Sequence, residues 1–194
     1  MDKTLQDFLL KCDDYKPHSS ITREIQEGEY ACYVNAARDY KPETVLEVGV
    51  LFGFSAMAMF WGHIAIKKFL GIDSEVLRDS SNDIALRNIK RILNHFGKTE
   101  KDIDVAMTYS GEGITEQFDL VHIDADHSFK EVYKDLTLYY PLAKRVVLMH
   151  DYLSPKNQGV RAAIHAYEKE IGGFKETKVY EARHGVLAIE KGVK

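Results

Sequence analysis

Two short stretches carry the residues best able to do chemistry. Residues 122–127 read His-Ile-Asp-Ala-Asp-His and residues 149–151 read Met-His-Asp, each closing an apolar run. Asp124, His150 and Asp151 offer two carboxylates and an imidazole, a set able to hold a divalent cation. A hydroxyl beside such a cation becomes acidic enough to attack near neutral pH. Magnesium prefers oxygen, so the nitrogen of His150 suits manganese, iron or zinc better; His150 can instead support the ligands or act as a base. His127 is the candidate proton acceptor, because imidazole titrates near working pH, and Asp126 is the alternative. Plain structural roles compete: an extra cap for His127, a strand end for His150 and Asp151. His122 lies inside its apolar run and reads as a core histidine. His18, His63, His95, His165 and His184 have no partner pattern.

A second constellation lies upstream. Thr44–Phe60, "TVLEVGVLFGFSAMAMF", runs from an apolar strand through a short turn into a small-residue helix. The dinucleotide fingerprint G-x-G-x-x-G is absent: Gly49 and Gly53 enclose three bulky residues, and Leu51 stands where a pyrophosphate needs no side chain. A nucleoside bearing an amino acid tolerates this turn better. Ser55, at the helix start beside Phe54, can offer a hydroxyl and backbone amides to a carboxylate. Asp73, at the end of the next strand, can accept from ribose hydroxyls, and Glu47 can face an ammonium group. S-adenosylmethionine has these features. A helix cap for Ser55 and a turn for Asp73 are the competing uses.

The elements that must position these residues follow from periodicity. Residues 1–40 read as helical, with Leu5, Phe8 and Leu9 on one side, then a longer pattern from Thr22 through Ile25, Tyr33, Val34 and Ala37 to Pro42. From Thr44 strand and helix alternate: "TVLEVGV", the buried helix "FSAMAMFWGHIAIKK", "KFLGID", the amphipathic "NDIALRNIKRILNHFG", "DIDVAMT", "FDLVHID", then a helix opened by the capping pair Ser128 and Glu131 and stopped at Pro141. "AKRVVLMHD", the helix "GVRAAIHAYEKEIGG" and the hairpin "FKETKVYEA" to "VLAIEK" complete the chain. Trp61, Met57 and Met59 read as packing. Five apolar strands separated by helices imply a parallel sheet covered on both faces, with ligands at the strands' carboxyl ends. The expected fold is α/β: a Rossmann-like, seven-stranded, mostly parallel sheet with an antiparallel C-terminal hairpin. Residues 1–194 are expected to form one domain, a helical extension over 1–40 and a core over 44–191.

"VLEVGVLFGFSAMAMF", "GID", "FDLVHIDADHSFKEVYKDLTLYYPL" and "VVLMHDY" resemble class I S-adenosylmethionine-dependent methyltransferases over roughly residues 22–190. Within that class they are similar to the small-molecule O-methyltransferases related to catechol O-methyltransferase and to macrocin-type sugar enzymes. The resemblance implies cofactor contact at Glu47, Gly49, Ser55, Asp73 and Ser110; Gly53, Phe54 and Asp124 complete the candidate cofactor set. In the resembling metal-dependent enzymes, magnesium is bound by an acid after the fourth strand and a pair after the fifth, the places of Asp124, His150 and Asp151. Catechol-type enzymes carry a basic side chain where His127 stands, and sugar-type relatives an acid where Asp126 stands. The Asn/Asp-Pro-Pro-aromatic motif of nitrogen-methylating enzymes is missing. The implied activity is methyl transfer to a hydroxyl of a phenol, catechol or sugar, with a divalent metal (Mg or Mn) assisting.

Composition sets the outer bounds. The 194 residues are 45% hydrophobic, enough for one core, and the net charge of −4 shows no basic stripe of the kind that tracks phosphates, so nucleic acid is not an expected partner. Two cysteines read as reduced thiols, and the lack of a signal-like or membrane-length apolar segment gives a cytoplasmic expectation with no membrane partner. Tyr15, Tyr30, Tyr33, Tyr152 and the "SPKNQG" loop are candidate acceptor-pocket residues, and the N-terminal helices read as a lid or a homodimer surface. Two other functions compete: a nicotinamide-dependent oxidoreductase, opposed by Leu51 in the turn, and a non-catalytic cofactor-binding domain of the same fold.

Overall fold

The computed structural model describes residues 3–12, 19–73, 78–99 and 101–191; Tyr15 and His18 lie outside them. Seven strands form one sheet: β1 (Thr44–Val48), β2 (Lys68–Ile72), β3 (Asp104–Thr108), β4 (Phe118–Ile123), β5 (Ala143–Met149), β6 (Glu176–Tyr180) and β7 (Val186–Glu190). Their spatial order is β3-β2-β1-β4-β5-β7-β6. The first five are parallel, and β7 runs antiparallel to β5 and β6. The order reverses direction between β1 and β4, which opens a crevice at their carboxyl ends.

Side chains alternate across the sheet. Val45 packs with the helices α1 (Lys3–Leu9), α2 (Ser19–Glu27), α3 (Ala31–Tyr40), α4 (Phe54–Gly62) and α5 (Arg78–His95). Leu46 and Val48 face the other layer, α6 (Phe129–Tyr139) and α7 (Gln158–Glu170). The near-continuous apolar strands are thus explained by cover on both faces. Among the described residues, no helix is long and apolar enough to cross a membrane.

Two helical expectations are corrected. The pattern from Thr22 to Ala37 is two helices, not one, because Gly28 takes φ +81 and turns the chain between α2 and α3. The helix expected through residue 68 stops at Gly62, where a side chain would meet the Val34 carbonyl of crossing α3 at 2.4 Å. The capping pair is half formed. Ser128 Oγ accepts from Glu131 N–H (3.4 Å), while Asp126 Oδ1 accepts from Ser128 N–H (2.6 Å).

The crevice depends on how tightly two loops approach. Gly49 has φ +86, and a Cβ there would sit 2.1 Å from the Asp124 carbonyl oxygen. Its N–H donates to Ile72 O, and Asp124 N–H donates to Val48 O, both at 2.8 Å. Gly49→Ala is therefore expected to cost about 2 kcal/mol or more, from left-handed strain plus backbone displacement. Denaturant unfolding checks this; a variant as stable as wild type would contradict the close approach.

Candidate active site

Loops after β1, β2, β3, β4 and β5, together with α2 and α3, enclose a cleft of about 980 Å³, within the range of small-molecule sites. Gly49, Phe54, Ser55, Asp73, Ser110, Asp124, Asp126, His127, His150 and Asp151 all line it. Of the described residues singled out for the cofactor, metal, base or acceptor pocket, Glu47, Gly53 and Tyr152 do not. Gly53 starts α4 at φ +76, and its α-carbon packs beside Ala85 of α5.

Glu47 is fully buried, one layer beneath the cleft. Its Oε1 accepts from the Ser55 hydroxyl and lies 2.8 Å from His122 Nδ1. The reason is strand parity: Glu47 shares the helix-facing side with Val45 and sits directly across from His122 in the β1–β4 register. Glu47 Oε2 and His122 Nε2 are buried without a hydrogen-bond partner among the described residues. His122 is thus a core histidine satisfied on one nitrogen only, with the Tyr33 ring edge-on at 4.9 Å.

At one end of the cleft a carboxylate braces the β1 turn. Asp73 Oδ2 accepts from Leu51 N–H at 2.5 Å, and Leu51 is left-handed at φ +49. The turn is held open by this bond while the carboxylate keeps lone pairs for further donors. Ser110, at the end of β3, has its Oγ engaged by Glu112 N–H (3.1 Å). The first turn of α4 presents amides with no acceptor inside the helix.

At the other end, carboxylates and imidazoles interlock. His127 Nε2 lies 2.9 Å from Asp151 Oδ2 and 3.6 Å from Asp124 Oδ1. His150 Nδ1 lies 3.1 Å from Asp124 Oδ1, and its Nε2 lies 3.2 Å from Glu29 Oε1. His184 Nδ1 lies 3.1 Å from Asp151 Oδ1. Asp151 itself is left-handed, at φ +60 and 4% exposed, a strained backbone of the kind found at working sites.

These contacts set the charges. Hydrogen bonds to Asp124 and Asp151 raise His127 to about 10. Burial opposes a charge on His150, but Asp124 and Glu29 outweigh it and lift the ring well above its ordinary value. An ionised carboxylate only accepts, so a ring facing one at each nitrogen is satisfied only as the imidazolium. Burial pushes Asp124 up, yet His150 and His127 hold it well below the carboxylate range. Asp151 is lowered in the same way, against burial, chiefly by His127.

The donor set fits a divalent cation. Asp124, His127 and Asp151 each bring a ligand atom within 4.8 Å of the others. The trio expected from the sequence also converges, with His150 Nδ1 3.1 Å from Asp124 Oδ1 and 3.6 Å from Asp151 Oδ2. Two oxygens and a nitrogen suit manganese or zinc at least as well as magnesium. Glu29 and His184 were not foreseen. His184 was readable in principle, since an antiparallel β7 beside β5 must bring its entry turn to β5's carboxyl end.

A pH dependence follows for the metal-free protein. His127 is raised when folded, so its contribution is complete below the unfolded value of about 6.5 and is lost as pH rises through about 10. The melting-temperature gap between wild type and His127→Gln should be widest near pH 6 and narrow toward pH 10. A gap constant over that range would show that the imidazolium contributes nothing.

Comparison with known proteins places this geometry. Residues 46–152, more than half of the chain, match the family described as "Methyltransferase domain". Among curated proteins there is no significant match. The O-methyltransferase from Bacillus cereus in complex with SAH is 16% identical, with 98% of this chain and 92% of that one covered at a TM-score of 0.69. A methyltransferase from Geobacter sulfurreducens is 16% identical (98% and 97% covered, TM-score 0.62). The O-methyltransferase TomG from Streptomyces achromogenes, in complex with SAM, is 17% identical (93% and 90% covered, TM-score 0.59). At such identities the likeness to these structures is one of fold. The family match, over the segment that carries the β1 turn, Asp73, Asp124, His127 and Asp151, goes further: this chain belongs to the methyltransferase-domain family.

Proposed function

We propose that the chain moves the methyl group of S-adenosylmethionine to a hydroxyl of a small molecule, a phenol, catechol or sugar, with a divalent cation assisting. The observation that carries this reading is the two-ended cleft, with Asp73 and the α4 turn at one end and the Asp124–His127–Asp151 cluster at the other. The neighbours crystallised with SAH or SAM support it. Against the nicotinamide alternative stand the family match and the side chain of Leu51 in the β1 turn. Among the described residues the cleft wall holds eight carboxylates (Glu24, Glu29, Asp73, Asp124, Asp126, Glu131, Asp135, Asp151) against one lysine, Lys134, and the raised imidazoles of His127 and His150. That excess disfavours a phosphate-bearing acceptor.

Bound S-adenosylmethionine supplies an electrophilic methyl group on a sulfonium sulfur. Asp73 accepts from the ribose hydroxyls, and the first turn of α4 at Phe54 and Ser55 receives the carboxylate. Beneath them Glu47, with a buried oxygen that has no partner among the described residues, is on the side of the ammonium group. Asp124 and Asp151 would hold the cation, which would make the acceptor hydroxyl more acidic. His127 completes the ligand set or takes the hydroxyl proton. Asp126 is a weaker base, because hydrogen bonds from the Ser128 hydroxyl and N–H hold it below the usual carboxylate range. Tyr30 and Tyr33 wall the acceptor side. Most of the acceleration then comes from alignment of the attacking oxygen, carbon and sulfur.

Two outcomes are expected. Calorimetry should show binding of S-adenosylmethionine or its demethylated product, weakened roughly ten- to hundredfold by Asp73→Ala through loss of charged hydrogen bonds; no heat with either compound would remove the proposal. Methyl transfer to a panel of phenols, catechols and sugars should require Mn²⁺ or Mg²⁺, and Asp151→Asn should reduce metal affinity roughly tenfold or more. Undiminished metal binding in that variant would take the cation elsewhere.

A further inference from the structure

Glu29 belongs to none of the roles above. It follows Gly28 at the break between α2 and α3 and is 1% exposed. Its Oε1 accepts from His150 Nε2–H (3.2 Å) and Gly185 N–H (3.1 Å), and its Oε2 accepts from His184 N–H (3.1 Å). Across the same ring, His150 Nδ1 faces Asp124 Oδ1 at 3.1 Å. One carboxylate from the helical layer thus reaches both the end of β5 and the turn before β7. Packing alone asks for no acid here. Other inward positions of these helices are apolar, such as Ile21, Ile25, Ala36 and Ala37, and a buried carboxylate is unfavourable unless its bonds are used.

We infer that Glu29 is a positioning residue of the active site. It fixes the His150 ring and, through that ring, the Asp124 carboxylate. Its second oxygen accepts from His184 N–H and anchors the Glu29 carboxylate itself to the turn before β7. The N-terminal helices are therefore part of the site's construction as well as its cover. The inference concerns the geometry of the cluster; only its turnover arm rests on the methyltransferase reading.

Glu29→Gln keeps the size and one acceptor oxygen, but its amide must oppose either His150 Nε2–H or the turn N–H groups, donor against donor. The expected result is a fall in Mn²⁺ affinity of roughly tenfold or more. At saturating S-adenosylmethionine, kcat should fall by a like factor, with KM for that compound changed less than about threefold. Because Glu29 acts through His150, the double variant with His150→Gln should lose no more Mn²⁺ affinity than His150→Gln alone. In the wild type, the His150 ring N–H signals should be slow to exchange and should move in Glu29→Gln. Wild-type Mn²⁺ affinity and unchanged ring signals in Glu29→Gln, with only a lower melting temperature, would reduce Glu29 to a structural anchor; losses that add with those of His150→Gln would also overturn the inference. Should Glu29→Gln not fold, or the wild type bind neither Mn²⁺ nor S-adenosylmethionine, the wild-type ring signals still decide: a freely exchanging His150 Nε2–H overturns it.

Discussion

Carboxylates buried side by side repel one another and lose hydration, so they stay ionised together only where positive charge is held between them. Glu29, Asp124 and Asp151 meet this condition through two imidazoles placed in the gaps: His150 between Glu29 and Asp124, and His127 between Asp124 and Asp151. The rest of the crevice is arranged around that alternation. Gly49 must lack a side chain so that Asp124 can come down beside β1, and Asp151 must turn left-handed so that its carboxylate faces His127. On the proposed reading, a divalent ion would satisfy the same two carboxylates as the His127 proton and would replace it.

Much of this was legible in the chain. Apolar strand runs ending in acids put Asp73, Asp124 and Asp151 at strand ends, and strands alternating with helices fixed which edge of the sheet those ends share. Gly49 and Gly53 marked the β1 turn for the right reason only in part. Both have positive φ, yet what forbids a side chain at Gly49 is the neighbouring loop. Glu47 could have been placed correctly by strand parity, since it shares a face with Val45 and must point at the helices.

What could not be read was pairing across long separations. Glu29 and His150 are 121 positions apart, and nothing local in "EGEY" distinguishes a buried anchor from a solvated helix end. Strand order did bring Asp124, His150 and Asp151 together. Order along the sheet decides which residues are near. Which nitrogen faces which oxygen depends on ring orientation, and that is set by the helical layer overhead.

The helical layer also bears on how the two ends of the cleft are held. Tyr33 contacts both histidines, edge-on to His122 at 4.9 Å and tilted to His150 at 6.0 Å. It therefore separates the Glu47–Ser55–His122 group under the cofactor end from the Glu29–His150–Asp124 group under the metal end. Tyr30 packs on Phe54 at 5.8 Å while its hydroxyl donates to Glu24. Burial pushes the Glu24 carboxyl up. Tyr30 and Tyr33 thus hold the two ends of the cleft in relation, a support that the core sheet alone would lack.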